Sequence, residues 1–127
     1  MVLILGGRAQ GKLSYAMETY HLEKEQVFDG ENGPLDRLDG YSAIDRLDRL
    51  IGRLMQEGKE PEDVICTYLA EHPDAVLITD EIGCGVVPMD AFLRDWREKT
   101  GRVCCMLAKR ADRVERVFAG IATTLKG

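Results

Sequence analysis

The sequence has no basic excess: 17 Lys and Arg stand against 22 Asp and Glu, a formal net charge of −5 with a pI near 5.1. A chain of this sign has no general attraction for a polyanion, which disfavours nucleic-acid binding and leaves room only for a local basic pocket. No apolar run approaches the ~20 residues that span a bilayer, and no basic stretch precedes an apolar one at the start of the chain. The expectation is a cytoplasmic protein with no membrane segment. The cysteines, Cys66, Cys84, Cys104 and Cys105, include no C-x-x-C pair and no neighbouring histidine at zinc-ligand spacing. A zinc site and a secreted disulfide framework are therefore disfavoured, and reduced, structural thiols are expected. There is no internal repeat and no low-complexity tract. With 127 residues, 45% of them hydrophobic, one domain over 1–127 can bury a core without metal or disulfide staples.

What is present is an alternation of apolar runs and amphipathic stretches. Val2-Leu3-Ile4-Leu5 ends at Gly6-Gly7, as expected of a strand buried on both faces of a parallel sheet. From Lys12 the period changes, with Leu13, Ala16, Met17 and Tyr20 on one helical face. Val27-Phe28 reads as a short strand, followed by a Gly- and Asp-rich loop to Gly40. Ser42 with Asp45 three residues on predicts an N-terminal cap for a helix with the stripe Ile44, Leu47, Ile51 and Leu54, ended by Gly58. Arg46, Asp48, Arg49 and Arg53 fall on its flanks. A further helix is expected from Pro61 to about His72, then a strand at Ala75–Thr79 running into Asp80-Glu81. Met89, Phe92, Leu93 and Trp96 fit a helical face from Pro88, which Gly101 is expected to interrupt before another helix to about Ala111. Val114–Ala119 reads as the last strand. This order calls for an α/β fold whose mostly parallel sheet is flanked by helices.

The first candidate site is Gly6-Gly7-Arg8-Ala9-Gln10-Gly11-Lys12, a G-x-x-x-x-G-K between an expected strand and an expected helix. Glycines allow successive backbone N–H groups to face phosphate oxygens, the helix N-terminus adds positive potential, and Lys12 would reach the β- and γ-phosphates. The plain alternative is a glycine-rich turn with an exposed lysine. Where the motif has Ser or Thr for Mg²⁺ the chain has Leu13, and Ser14, ~100° further round the helix, cannot simply replace it. Mg²⁺ would then depend on carboxylates, water and substrate phosphates. Asp29 and Asp80 are the candidate metal carboxylates, and Glu81 beside Asp80 is the candidate catalytic one, with Gly83 and Gly85 allowing close approach of a ligand. A solvated loop acid or a helix cap is the plain alternative for each. His21 and His72 read as ordinary surface or helix-end histidines.

G-G-R-A-Q-G-K and V-L-I-T-D-E-I-G-C-G-V-V-P resemble motifs of the adenosylcobinamide kinase/adenosylcobinamide-phosphate guanylyltransferase family of cobalamin biosynthesis. In the second motif, N-E-V-G-x-G-I-V-P in that family, Glu81, Gly83, Gly85, Val87 and Pro88 match and Asp80 replaces Asn. Thr100-Gly101-Arg102-Val103 resembles the family's A-G-R-V-N, and Ala119-Gly120-Ile121 through Leu125-Lys126 its terminal strand and tail. Asp29 is set against the aspartate of the family's D-C-L strand motif, with only Asp shared. Cys104-Cys105 stands where the family has Asn-Gln. The family's H-x-x-R-R guanylylation segment has no counterpart, since Leu22-Glu23-Lys24 follows His21 and Pro73 follows His72.

The resemblance implies a P-loop fold, ATP or GTP as phosphate donor, Mg²⁺, a corrinoid acceptor and a possible homo-oligomer. The expected activity is transfer of a γ-phosphate to the adenosylcobinamide hydroxyl, with Lys12 and Glu81 as catalytic residues. The guanylyl-transfer step lacks its segment. Two other readings stay open: a nucleotide- or corrinoid-binding module that no longer catalyses and serves as a regulator or partner subunit, motivated by Leu13 and the missing histidine segment, and a kinase for a different small hydroxyl compound.

Overall fold

A computed structural model describes residues 1–82 and 90–127. Ten regular elements follow one another: β1 (Val2–Gly6), α1 (Lys12–Thr19), β2 (Val27–Asp29), β3 (Ala43–Asp45), α2 (Leu47–Gln56), α3 (Pro61–Glu71), β4 (Val76–Asp80), α4 (Ala91–Arg110), β5 (Arg113–Phe118) and β6 (Ile121–Lys126). Short 3-10 turns at Lys24–Gln26 and Leu35–Gly40 fill the connections around β2.

The strands form one six-stranded sheet in the order β2-β3-β4-β1-β5-β6, parallel throughout except for the antiparallel β5–β6 pair. This is the expected α/β architecture, a mostly parallel sheet flanked by helices. Alternate residues of each inner strand serve different faces, as the pleat requires. Leu3, Phe28, Ile44, Leu77 and Val114 pack into a core shared with α2, α3 and α4. Ile4, Ala43, Val76, Ile78 and Val117 pack with Ala16 of α1 on the other side. Apolar residues on both faces explain why β1 and β4 read as unbroken hydrophobic runs.

Helix ends follow local chemistry. Gly58 (φ +72°) closes α2, with its N–H donating to Met55 O (3.0 Å) and that of Lys59 to Leu54 O (2.9 Å), a glycine-terminated Schellman end. Pro61 opens α3, and the Asp90 carboxylate caps α4 by accepting from the Leu93 N–H.

Three expectations are corrected. Ser42 and Asp45 do not cap a helix: Ala43–Asp45 is a strand held between β2 and β4, and α2 starts at Leu47. Ile44 can be buried by the sheet as well as by a helix, and three residues are too short a strand to show a period. Gly101 does not interrupt α4, which is continuous over 20 residues. Its glycine cost is distributed over a long helix anchored by buried Thr100, Val103 and Leu107. The chain does not end its strand order at β5 either. Ala119 (φ +51°) and Gly120 (φ +76°) make a two-residue turn that returns β6 along β5. Pro88 and Met89 lie outside the described residues, as do Cys84, Gly83, Gly85 and Val87.

Candidate active site at the carboxyl ends of the parallel strands

The strand order places β1 between β4 and β5, with β3 beside β4, so their carboxyl ends share one edge. In an open parallel sheet that edge is where ligands bind. The loop from Gly6 to Lys12 leaves β1 there and turns directly into α1. Two residues with positive φ, Ala9 (+59°) and Gly11 (+85°), give it its curl. A Cβ on Gly6 would run into the Val117 carbonyl of β5, so the close approach of strand and loop requires glycine. Gln10 ties the loop to the β5–β6 turn: its Oε1 accepts from Ala119 N (2.8 Å) and its carbonyl from Gly120 N (2.9 Å).

Lys12 is only 7% exposed. Its ammonium donates to the Gly7 carbonyl (2.7 Å) and pairs with Asp80 Oδ1 (2.7 Å) at the end of β4. The plain alternative of an exposed turn lysine is therefore not what the fold makes of this residue. The loop, Lys12 and Asp80 line a cavity of about 230 Å³ together with Arg8, Ser14, Glu31, Asp45, Arg46 and Arg49. Leu13 borders it while packing into the α1-side core, and Ser14, exposed, stands on its rim.

Two carboxylates that the residue pattern left on helix flanks or in a cap belong to this edge. Asp45 ends β3, and burial pushes its carboxyl up to about 6, with the Asp29 and Asp80 carboxylates adding to the shift and Lys12 opposing it. Asp48, 1% exposed, is likewise held above its ordinary range by burial, against the hydrogen bond it accepts from Asp80 N (3.2 Å). Asp48 thus fixes the backbone at Asp80. Asp29 stands opposite Asp45 in the β2–β3 register, but its carboxylate accepts from Glu31 N (2.9 Å) and Asn32 Nδ2 (3.3 Å) in its own turn. Asp29 is not among the residues lining the cavity.

Glu81 is placed differently again. Its backbone N–H donates to Gly6 O (2.8 Å), continuing the β4–β1 ladder, while its exposed carboxylate is gripped by Arg116 of β5 (Nε–Oε1 3.0 Å, Nη2–Oε2 3.1 Å). A larger groove of about 670 Å³ adjoins the cavity through the shared residues Glu31 and Arg49. It is lined by Gly52, Arg53, Phe92, Leu93 and Trp96 among others. Trp96 donates its indole N–H to Asp48 O (2.8 Å) and carries the Arg49 guanidinium 5.5 Å from its ring centre. A Cβ on Gly52 would crowd that indole at 3.1 Å.

Among the described residues no three His, Cys, Asp or Glu side chains converge as a metal cage. No described helix is long and apolar enough to cross a membrane. A signal for Asp45 was available: Asp45-Arg46-Leu47 shares both Asp and Leu with D-C-L, whereas around Asp29 only Asp is shared.

Comparison with known proteins identifies the family. The family model described as cobinamide kinase / cobinamide phosphate guanyltransferase matches residues 40–125, about two-thirds of the chain. That match includes Asp45, Asp80 and Glu81 and begins after the Gly6–Lys12 loop and Asp29. A stretch of 51 residues is 43% identical to the bifunctional adenosylcobalamin biosynthesis protein of Salmonella typhimurium and 41% identical to that of Escherichia coli. It covers 40% of this chain and 28% of each relative, so the chain matches under a third of their length.

Proposed function

Given that the chain belongs to the cobinamide kinase / cobinamide phosphate guanyltransferase family, we propose that it binds ATP or GTP on the Gly6–Lys12 loop and transfers the γ-phosphoryl group to the adenosylcobinamide hydroxyl. The observation carrying this reading is Lys12, buried between the Gly7 carbonyl and Asp80 in a cavity walled by the loop. A triphosphate would take the Lys12 ammonium from those two partners, and the loop N–H groups would face its oxygens.

In the transfer, the acceptor oxygen bonds to the γ-phosphorus as the bond to the β-phosphate bridging oxygen breaks, releasing the nucleoside diphosphate. The hydroxyl proton goes to a carboxylate, a role assigned here to Glu81, which follows Asp80 in the chain and is held by Arg116, although neither residue lines the cavity. Asp80 and Asp45 fit a Mg²⁺ site: Asp45 is held near 6 by burial and by neighbouring carboxylates, a repulsion that a divalent cation relieves. When bound, the ion neutralises charge on the β- and γ-phosphate oxygens. Asp29 adds to the field on Asp45 from one strand away. The Trp96 groove, which shares Glu31 and Arg49 with the cavity, is the place proposed for the corrinoid acceptor. Guanylyl transfer is left out of the proposal, because the chain has no H-x-x-R-R segment.

One observation favours a second reading. Leu13 packs into the core where a hydroxyl ligand to Mg²⁺ would stand, as in a binding module that has lost turnover. A transfer assay with γ-labelled ATP or GTP, Mg²⁺ and adenosylcobinamide separates the two. Labelled corrinoid is expected from the native protein, with a loss of roughly 100-fold or more in kcat/KM for Lys12→Ala. Nucleotide binding with no labelled product would establish the binding module instead.

A further inference from the structure

We infer that Arg46 and Arg49, three residues apart at the start of α2, form a second phosphate subsite for the terminal phosphoryl group, and that Glu31 occupies Arg46 until a polyphosphate displaces it. The inference rests on the nucleotide reading above. Both arginines line the 230 Å³ cavity with Lys12, Asp45 and Asp80, and Arg49 also lines the Trp96 groove. Arg49 therefore stands where the two spaces meet, between the proposed donor and acceptor, with Arg46 beside it on the cavity side.

The backbone at Arg46 is unusual for the residue type. Arg46 has φ +52° and ψ +52°, left-handed geometry that a non-glycine residue holds only when its surroundings impose it. The turn after β2 imposes it here. Gly30 donates its N–H to Asp45 O (2.9 Å) and lies so close to the Arg46 carbonyl that a Cβ on it would collide. Arg53, two turns along α2, clamps the same turn through the Gly30 and Gly33 carbonyls (3.1 and 2.7 Å). The arrangement starts α2 at the cavity with a guanidinium at its first corner.

Among the described residues Arg46 has no buried ion-pair partner, and Arg49 meets one, Asp48, only at the long distance of 3.7 Å. Arg46 pairs with Glu31, and the two side chains are 54% and 42% exposed, so the pair is weak and exchangeable. Arg49 lies 3.7 Å from an Asp48 oxygen and rests over Trp96, with 46% of its side chain exposed. A guanidinium matches phosphate oxygens in two-pronged geometry and stays charged at any working pH. Lys12 and Arg8 of the loop face the several charges of a triphosphate together with the Asp45 and Asp80 carboxylates, so further cations at the terminal phosphate complete the balance. Glu31, a carboxylate on Arg46, occupies the place that a phosphate oxygen takes.

The test is equilibrium binding of fluorescent tri-, di- and monophosphate nucleotides and of inorganic tripolyphosphate to the full chain, with circular dichroism to confirm folding. Arg46→Ala should weaken triphosphate and tripolyphosphate binding about tenfold or more and leave monophosphate binding nearly unchanged. Arg49→Ala should act in the same direction, Arg46→Lys should recover part of the loss, and Glu31→Gln should tighten triphosphate binding. An unchanged triphosphate-to-monophosphate ratio in Arg46→Ala, or weaker triphosphate binding in Glu31→Gln, overturns the subsite. Tripolyphosphate binding that depends on Arg46 without any nucleotide binding would retain the subsite and defeat the nucleotide reading. Binding of neither probe by the native protein overturns both.

Discussion

Asp45 concentrates the conflict between stability and chemistry at this edge of the sheet. Its carboxyl is pushed from the ordinary range to about 6, first by burial and then by Asp29 and Asp80. Because the folded pKa exceeds the unfolded one, the native state holds this proton more tightly. The group's contribution to stability is therefore fully present below about pH 4 and is lost as pH rises through 6. Asp45→Asn should remove that loss: its midpoint of thermal unfolding should exceed that of the native protein at pH 7 and converge with it near pH 4. Thermal scans across that range check the expectation. The same substitution should weaken Mg²⁺-dependent nucleotide binding, since one carboxylate of the proposed ion site is gone. Lys12 shows the complementary case, a charge kept buried because Asp80 and a carbonyl receive it.

At the scale of elements, α4 and the β3–α2 corner show how short-range signals compete with packing. Gly101 sits on the exposed side of α4, and a Cβ there would meet nothing within 4 Å. Gly101→Ala should therefore stabilise the protein by about 1 kcal/mol, through the helix propensity and reduced unfolded-state freedom of alanine. Urea or thermal unfolding reads this as a midpoint shift at unchanged m-value. Were Gly101 a break between two helices, the substitution would be neutral or costly. At the other corner, Ser42-x-x-Asp45 carries a capping pattern, yet no side chain caps α2. Pairing of Ala43 and Ile44 with their β2 and β4 neighbours buries both side chains completely, a larger gain than one cap hydrogen bond. Arg46 then has to turn the chain in left-handed geometry, and that turn aims a cation at the cavity.

Across the whole molecule, α1 is fastened to the far side of the sheet by a buried acid. Glu115 of β5, 1% exposed, accepts from the Tyr15 and Tyr20 hydroxyls and lies 3.5 Å from Arg113. Burial raises both phenols above their ordinary range, and their bonds to Glu115 raise them further. Glu115→Ala should cost about 3 kcal/mol in denaturant unfolding, because two tyrosine hydroxyls lose a shared acceptor and a cavity opens. Since α1 carries Lys12 at its first position, the same variant should also weaken nucleotide binding without touching the site.

The sequence by itself determined what lies close along the chain: the β1-loop-α1 unit with Lys12, the buried runs of β1 and β4, and Asp80-Glu81 at a strand end. Glycine spacing, apolar runs and the change of period are local properties, and local geometry follows from them. It also carried the family likeness in residues 76–88, most of whose second half lies outside the described residues. Tertiary structure alone decided which distant acids and cations share the cavity. The order β3-β4-β1 brings Asp45 and Asp80 beside Lys12, while the turn after β2 brings Glu31 to Arg46 and leaves the Asp29 carboxylate in its own hydrogen bonds. No periodicity encodes that order, because it is set by which apolar faces are buried together rather than by neighbours in the chain.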